Sequence, residues 1–350
     1  MNAATPVPWW RPDRLAARQA NLAARGRILG AVRRFFEAAG YMEVDTPALQ
    51  VSPGLEPHLK AFATTLHDPR DANEHRRFLQ TSPEFTMKKL LAGGLPRIWQ
   101  LAHAYRDGER SATHQPEFAM LEWYRTGATY RDLMDECEGL LRAAQTAAGT
   151  EALRWNGHSA DAGLPFRRLT LAEAFTEYTG IDLLATVPDP AAPDAAALGE
   201  AALGIGIAPH PGDDWETLFF RIFLERIEPR LGLGAPTIVY DYPISMAALS
   251  RSKADDPRLA ERFELYVCGL ELANAFGELT DPAEQRRRFE ADQSRKEALY
   301  GETYPIDPDF LAALEHGMPE CAGIALGFDR LVMLATGASH IEQVLWAPVA

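Results

Sequence analysis

The sequence predicts an α+β fold, a mostly antiparallel central sheet flanked by helices. Two observations carry this. Apolar residues recur at helical spacing in long segments bounded by capping signals. Between them lie β-prone runs, several joined by short connections that favour antiparallel pairing. No internal repeat divides the chain.

Residues 14–39 read as one long helix, with Leu15, Leu22, Leu29 and Phe36 seven apart and Val32 filling the stripe. Gly40 is its C′ stop. "YMEVDTPAL" reads as a strand interrupted by Pro47, hence an edge or an interface. A long helix followed by an exposed edge fits a homodimer. "RFLQ" (77–80) is a short strand, and "TSPEFTMKKLLAGG" a helix with Ser82 as N-cap, Pro83 at N1 and Gly93-Gly94 as terminator. "PRIWQLAHAYRD" and "PEFAMLEWYRTG" are strands around the loop "GERSATHQ". Residues 129–149 are helical, and Thr170 with Glu173 makes a capping box for the next helix. Residues 185–235 form a helical insertion, Ala-, Pro- and Asp-rich at first and then one amphipathic helix, "DDWETLFFRIFLERIEPRLG". "PTIVYDYP" and "RFELYVCGLELA" are strands, "DPAEQRRRFEADQSRKEALYGE" is a charged surface helix, and "GIALGFDRLVML" closes the pattern as strand then helix. The whole of 1–350 reads as one domain.

Hydrophobic residues make up 47% and charged residues 24% of the 350, as in a soluble globular protein. No apolar run approaches the roughly 20 residues of a membrane helix. The opening "MNAATPVPWWRPDR" has no apolar leader core. Three cysteines without metal-ligand spacing fit a reducing cytoplasm. A net charge of −14 counts against nucleic acid, tRNA included, as a general partner.

Four stretches carry candidate chemistry, each with a plain alternative. In residues 105–124 a loop bears Arg106, Arg110 and His114, and Phe118 opens the return strand. Arginine forks grip phosphate and a phenyl ring stacks on a base; a solvated hairpin with Phe118 in the core fits equally. In residues 262–281, Glu264, Glu271 and Glu278 sit seven apart in apolar surroundings, with Asn274 between the last two. Buried carboxylates need a cation, and oxygen ligands favour Mg²⁺ or Mn²⁺. A turn or bulge near Gly269 must then bring Glu264 and Glu271 to one side. Outward-facing glutamates on surface strands are the alternative. Glu84 in the first turn of a helix is explained by the helix dipole alone. In the last strand, Ile324, Leu326 and Phe328 share one face and Gly323, Ala325 and Gly327 the other, with Arg330 following. That bare face fits close approach by a ligand or tight packing.

Together these segments resemble a class II aminoacyl-tRNA synthetase core. "GYMEVDTPAL" is similar to its motif 1, the dimer-interface strand, "YRDGERSATHQPEFAMLEWY" to motif 2 and "GIALGFDRLVML" to motif 3. "TSPEFTMKKLL", "HQPEFAMLEWY" and the 262–281 stretch resemble the lysyl branch. Within it the chain resembles the elongation factor P–(R)-β-lysine ligase family along nearly its whole length. It starts at the motif 1 helix with no anticodon-binding domain before it, and Ala325 stands where the synthetases carry Gly.

The resemblance implies activation of (R)-β-lysine, or lysine, by ATP and Mg²⁺ and its transfer to elongation factor P. Arg106, Glu271 and Arg330 are then catalytic. Arg106, Asp107, Gly108, His114, Gln115, Phe118, Glu271, Leu272, Gly327 and Arg330 border ATP. Glu264 and Glu271 hold Mg²⁺. Ser82, Pro83, Glu84, Tyr124, Asn274, Glu278 and Ala325 hold the amino acid. Motif 2 departs from the family's Arg-x-Glu: it reads Arg106-Asp107-Gly108, with Glu109 one place later. The rival readings are an α-lysine-activating paralogue that charges tRNA and a non-catalytic amino-acid or nucleotide binder.

Overall fold

A computed structural model describes residues 8–71 and 73–349. The first seven residues, half of the opening stretch read as lacking a leader, lie outside them. The central sheet has eight strands: β1 Met42–Glu43, β2 Arg97–Tyr105, β3 Glu117–Thr126, β4 Arg167–Thr170, β5 Thr237–Pro243, β6 Leu259–Val267, β7 Leu270–Gly277 and β8 Cys321–Gly327. Their order is β1-β2-β3-β8-β7-β6-β5-β4. The edge pairs β1/β2 and β5/β4 are parallel, and every pair between them is antiparallel.

Nine helices surround the sheet: α1 Pro12–Ala38, α2 Glu84–Ala92, α3 Tyr130–Ala148, α4 Leu171–Thr179, α5 Ala195–Gly204, α6 Trp215–Ile222, α7 Pro282–Tyr300, α8 Pro308–Gly317 and α9 Phe328–Thr336, among the described residues. The period-two reading of the last strand holds. Ala322, Ile324 and Leu326 bury against α1, α3 and α9 with Leu121, Trp123, Phe263 and Ala275. The opposite face is the one left polar.

The capping box on α4 forms as read, with Thr170 and Glu173 reciprocal. Other elements differ in detail. The buried stripe of α1 runs through Leu22, Arg25, Ile28, Val32 and Phe36, while Leu15, in its first turn, is exposed. Helix α2 begins one residue late: Pro83 takes the cap position, and the Ser82 hydroxyl accepts from the Glu84 amide at 3.1 Å. The amphipathic segment of the insertion is not one α-helix. After α6 it widens into a π turn at Phe223–Ile227 and tightens into a 3₁₀ turn at Glu228–Arg230, where Pro229 removes a donor. The insertion has its own apolar core, Leu198, Trp215, Phe219 and Ile222 packing on Val239 and Tyr266 of the sheet. Among the described residues no helix is long and apolar enough to cross a membrane.

Candidate active site

The polar face of the sheet floors a cavity of about 510 Å³. Register orders the row of residues beneath it, of which Ala325 and Asn274 line the cavity. Gln100, Glu122, Ala325, Asn274 and Glu264 lie opposite one another across β2, β3, β8, β7 and β6. The next row is Ile98, Tyr124, Gly323, Phe276 and Arg262. Residues from five strands thus meet because they share parity, not sequence neighbourhood.

Glu264 and Glu271 would face opposite ways on ideal strands. Two irregularities correct this. Cys268 and Gly269 turn the chain with φ of 56° and 73°, the signature of a tight hairpin. The ladder then slips between Leu265/Ala273 and Tyr266/Glu271, so Leu272 is the extra residue. Glu271 joins the face of Asn274 and Glu264, as the sequence required of a shared cation.

At one end of the cavity lie carboxylates. Glu122 is fully buried; Ser82 donates to its Oε1 at 2.6 Å and Tyr124 to its Oε2 at 2.8 Å. Burial, aided by the charge of Glu84, pushes its pKa up to about 8 against those two hydrogen bonds. Glu84 on α2 and Glu278 after β7 both line the cavity, and between them stands Lys88, its Nζ 2.5 Å from each. Burial and then Glu84 raise Glu278 to about 8, opposed by Lys88. Gly323 must be glycine here, since a Cβ would overlap the Tyr124 ring and the Glu278 carboxylate. The bare strand face therefore serves side-chain packing at position 323 and opens to the cavity at Ala325 and Gly327.

At the other end are cations and an aromatic ring. Arg330 donates to the Glu271 carbonyl at 2.7 Å and to His114 Nε2 at 2.7 Å. A guanidinium only donates, so Nε2 accepts and the His114 proton sits on Nδ1, 2.8 Å from the Ser111 hydroxyl. Burial, then Arg330, lowers the His114 pKa and keeps it neutral. The Arg106 guanidinium lies 5.2 Å from the Phe118 ring centre. Its Nε and the Gln115 Oε1 are buried without a partner among the described residues, as polar groups awaiting a ligand are.

Of the site residues expected from sequence, Ser82, Glu84, Arg106, His114, Gln115, Phe118, Tyr124, Glu271, Leu272, Asn274, Glu278, Ala325, Gly327 and Arg330 line this one cavity. Pro83, Asp107, Gly108 and Glu264 do not. Asp107 turns outward to Lys60, 2.9 Å away. Gly108, at φ +84°, lets the loop swing the next carboxylate inward, and Glu109 lines the cavity in its place. Glu264 lies behind the wall, its Oε2 accepting from Tyr242 and Tyr266 and its Oε1 2.5 Å from Arg262.

Sequence reasoning missed Glu122, Lys88, Arg262 and Glu228. Glu122 could have been found, since it shares strand parity with Phe118 and Tyr124. Glu228 carries no such signal; the 3₁₀ turn sets it near Glu271 and Glu264, and burial plus their charges push it up to about 7. Burial and Glu264 likewise raise Glu271. Mutually repelling carboxylates suit a hard divalent cation. No three His, Cys, Asp or Glu among the described residues converge to hold one unaided.

The profile of the class II tRNA synthetases (D, K and N) matches residues 11–349. The chain is 40% identical over 341 residues to the elongation factor P–(R)-beta-lysine ligase of Vibrio cholerae, covering 97% of each. It is 40% identical over 338 residues to the ligase of that name from Sodalis glossinidius, covering 96% of each. It is 39% identical over 342 residues to that of Yersinia enterocolitica, covering 97% of each. With that match along its length, and a sheet that gathers motifs 2 and 3 around one cavity, the chain belongs to the class II tRNA synthetase family, among its elongation factor P–(R)-β-lysine ligases.

Proposed function

We propose that this chain is an ATP-dependent ligase that activates (R)-β-lysine as an acyl-adenylate and passes it to the ε-amine of a lysine of elongation factor P. One observation carries the reading: a single cavity has carboxylates for ammonium groups at one end and arginines for phosphates at the other, with Ala325 and Asn274 between. The full-length relatives bear that activity in their names.

In the first step a substrate carboxylate oxygen attacks the α-phosphorus of ATP; a C–O–P link forms, a P–O bond breaks and pyrophosphate leaves. Arg106 and Arg330 neutralise the phosphate charge, and Arg330 is held in aim by the Glu271 carbonyl and His114. Phe118 offers a face for adenine, and Gln115 Oε1 a free acceptor beside it. Glu271, with Glu264 and Glu228 behind it, would hold Mg²⁺, which would supply charge neutralisation to the phosphates. Glu84 and Glu278 hold the substrate ammonium groups, with Glu122 buried beneath them behind Ser82 and Tyr124. In the second step the acceptor amine attacks the acyl carbon, AMP leaves, and the amine gives up a proton as the amide forms. We read the chain as one catalytic unit that pairs as a homodimer, for which exposed Met42, Leu49 and Val51 beside Pro47 offer an apolar edge.

Mass spectrometry of elongation factor P incubated with the protein, ATP and each lysine isomer tests the reading. One added β-lysyl group is expected. Charging of tRNA with α-lysine, and an unmodified factor, would overturn it. Glu271→Ala and Arg330→Ala should each abolish pyrophosphate exchange while the protein stays folded, and activity in both would remove these residues from the site.

A further inference from the structure

Lys88 plays no part in the mechanism above, yet it is 0% exposed and stands between two carboxylates of the cavity wall, 2.5 Å from Glu84 Oε1 and 2.5 Å from Glu278 Oε2. A helical Glu–Lys pair four residues apart is ordinary on a surface. Buried, such a charge is costly, and an apolar side chain would fill the space more cheaply. What distinguishes Lys88 is the third partner, Glu278, which comes from another element and faces the cavity. Beside this group, Glu122 lies buried beneath the wall, its two oxygens held by Ser82 and Tyr124, which themselves line the cavity.

We propose that Lys88 sets the charge of the amino-acid end: by cancelling one carboxylate of the Glu84–Glu278 pair, it leaves one negative charge there, to which Glu122 adds a second when it ionises on substrate binding, matched to a substrate bearing two ammonium groups. This rests on the ligase reading. Lys88 touches no ligand and acts through its two carboxylates, so it is a positioning residue. The other groups facing it are few. Glu56 lies across from Glu84 and Lys88, and Tyr124 from the floor. Arg251 and Cys321 lie near Glu278. Burial alone would strip the Lys88 proton, but Glu278 and Glu84 reverse this and hold the ammonium.

Lys88 opposes the rise of Glu278; without it, Glu84 and Glu278 face each other with no cation, and the pair keeps its proton to higher pH than in the wild type. A substrate ammonium then has to displace that proton, so binding weakens at neutral pH and recovers as pH rises. The test is amino-acid-dependent pyrophosphate exchange with (R)-β-lysine and lysine between about pH 6.5 and 9, for the wild type, Lys88→Met and Lys88→Arg. For Lys88→Met the amino-acid KM should rise about tenfold or more at pH 7, the cost of one unpaired charge, and the gap should narrow by pH 9. kcat and the KM for ATP should stay within about threefold, and Lys88→Arg should restore the wild-type pH profile. A KM within about twofold at every pH, or equal losses in both variants without a pH trend, overturns the proposal. If Lys88→Met does not fold, Lys88→Met/Glu84→Gln, which removes one charge of each sign, should fold, with an amino-acid KM that is raised alike at pH 7 and pH 9. A double variant that also fails to fold makes Lys88 a packing residue and ends the proposal. Absence of exchange in the wild type with either isomer would instead sink the ligase reading, whereas wild-type exchange with a flat Lys88→Met response sinks only this inference.

Discussion

Ala325 puts one methyl group on the cavity floor between Glu122 and Asn274. On the proposed reading, a methyl there would trim the space around the substrate's α-carbon, disfavouring an α-amino group and admitting a β-amino one. Ala325→Gly should raise kcat/KM for α-lysine relative to (R)-β-lysine by up to about tenfold, the discrimination one methyl supplies. An unchanged ratio in parallel exchange assays would make Ala325 ordinary packing. Glu122 has a pH signature. Its folded pKa of about 8 lies above the ordinary 4.5, chiefly through burial. A raised carboxyl contributes stability that is complete below its unfolded pKa and lost as pH climbs through the folded one. The ligand-free wild type should therefore lose more melting temperature between about pH 5 and 9 than Glu122→Gln does. Parallel melting curves for the two would refute the protonated state. Substrate binds the ionised form, so saturation with lysine and ATP should flatten the wild-type slope.

At the scale of elements, Asp329 ties three together. It ion-pairs with Arg25 of α1, and its Oδ2 accepts the Ala119 amide of β3 at 2.7 Å, while Asp329 itself opens α9. The Arg25 guanidinium also lies 4.9 Å from the Phe328 ring centre. The knot sits beside Phe118 and Arg330, at the nucleotide end. Asp329→Asn leaves Arg25 as a buried charge without its partner, which should cost about 3 kcal/mol in denaturant titration. A loss under about 0.5 kcal/mol would show that the tie is slack. The elements themselves were largely legible, because parity and helical period repeat along the chain: the face of Ile324 and Leu326 and the box at Thr170 follow from spacing alone. The bulge at Leu272 was legible only as a requirement, and the π turn after α6 not at all, since both are set by how neighbouring elements pack.

For the whole molecule, the sheet separates an apolar side, covered by α1, α3 and α9, from a reactive side. A ligand bound only by the folded state stabilises by about 2.7 kcal/mol at a hundred times its Kd. ATP with Mg²⁺ and lysine should accordingly raise the melting temperature. On the proposed reading, in which phosphate oxygens complete the metal's ligand set, chelation should remove the ATP-dependent part yet leave the ligand-free protein unchanged. A ligand-free melting temperature that falls on chelation would point to a resident ion instead.

The sequence by itself determined most of the strands and helices, though not β4 or α8, and also which face of the last strand is bare and which arginines, aromatics and carboxylates belong to the motif 2 and motif 3 stretches. Those properties are periodic or local, so spacing exposes them. Only the tertiary structure decided that Lys88 stands between Glu84 and Glu278, that Glu109 and not Asp107 enters the cavity, that Arg262 holds Glu264 behind the wall, and that Tyr124 forces glycine at 323. Each of these depends on side chains from separate elements meeting across register and burial. Such meetings have no period along a chain, and a charge buried at 0% exposure reads in sequence like any lysine on a helix.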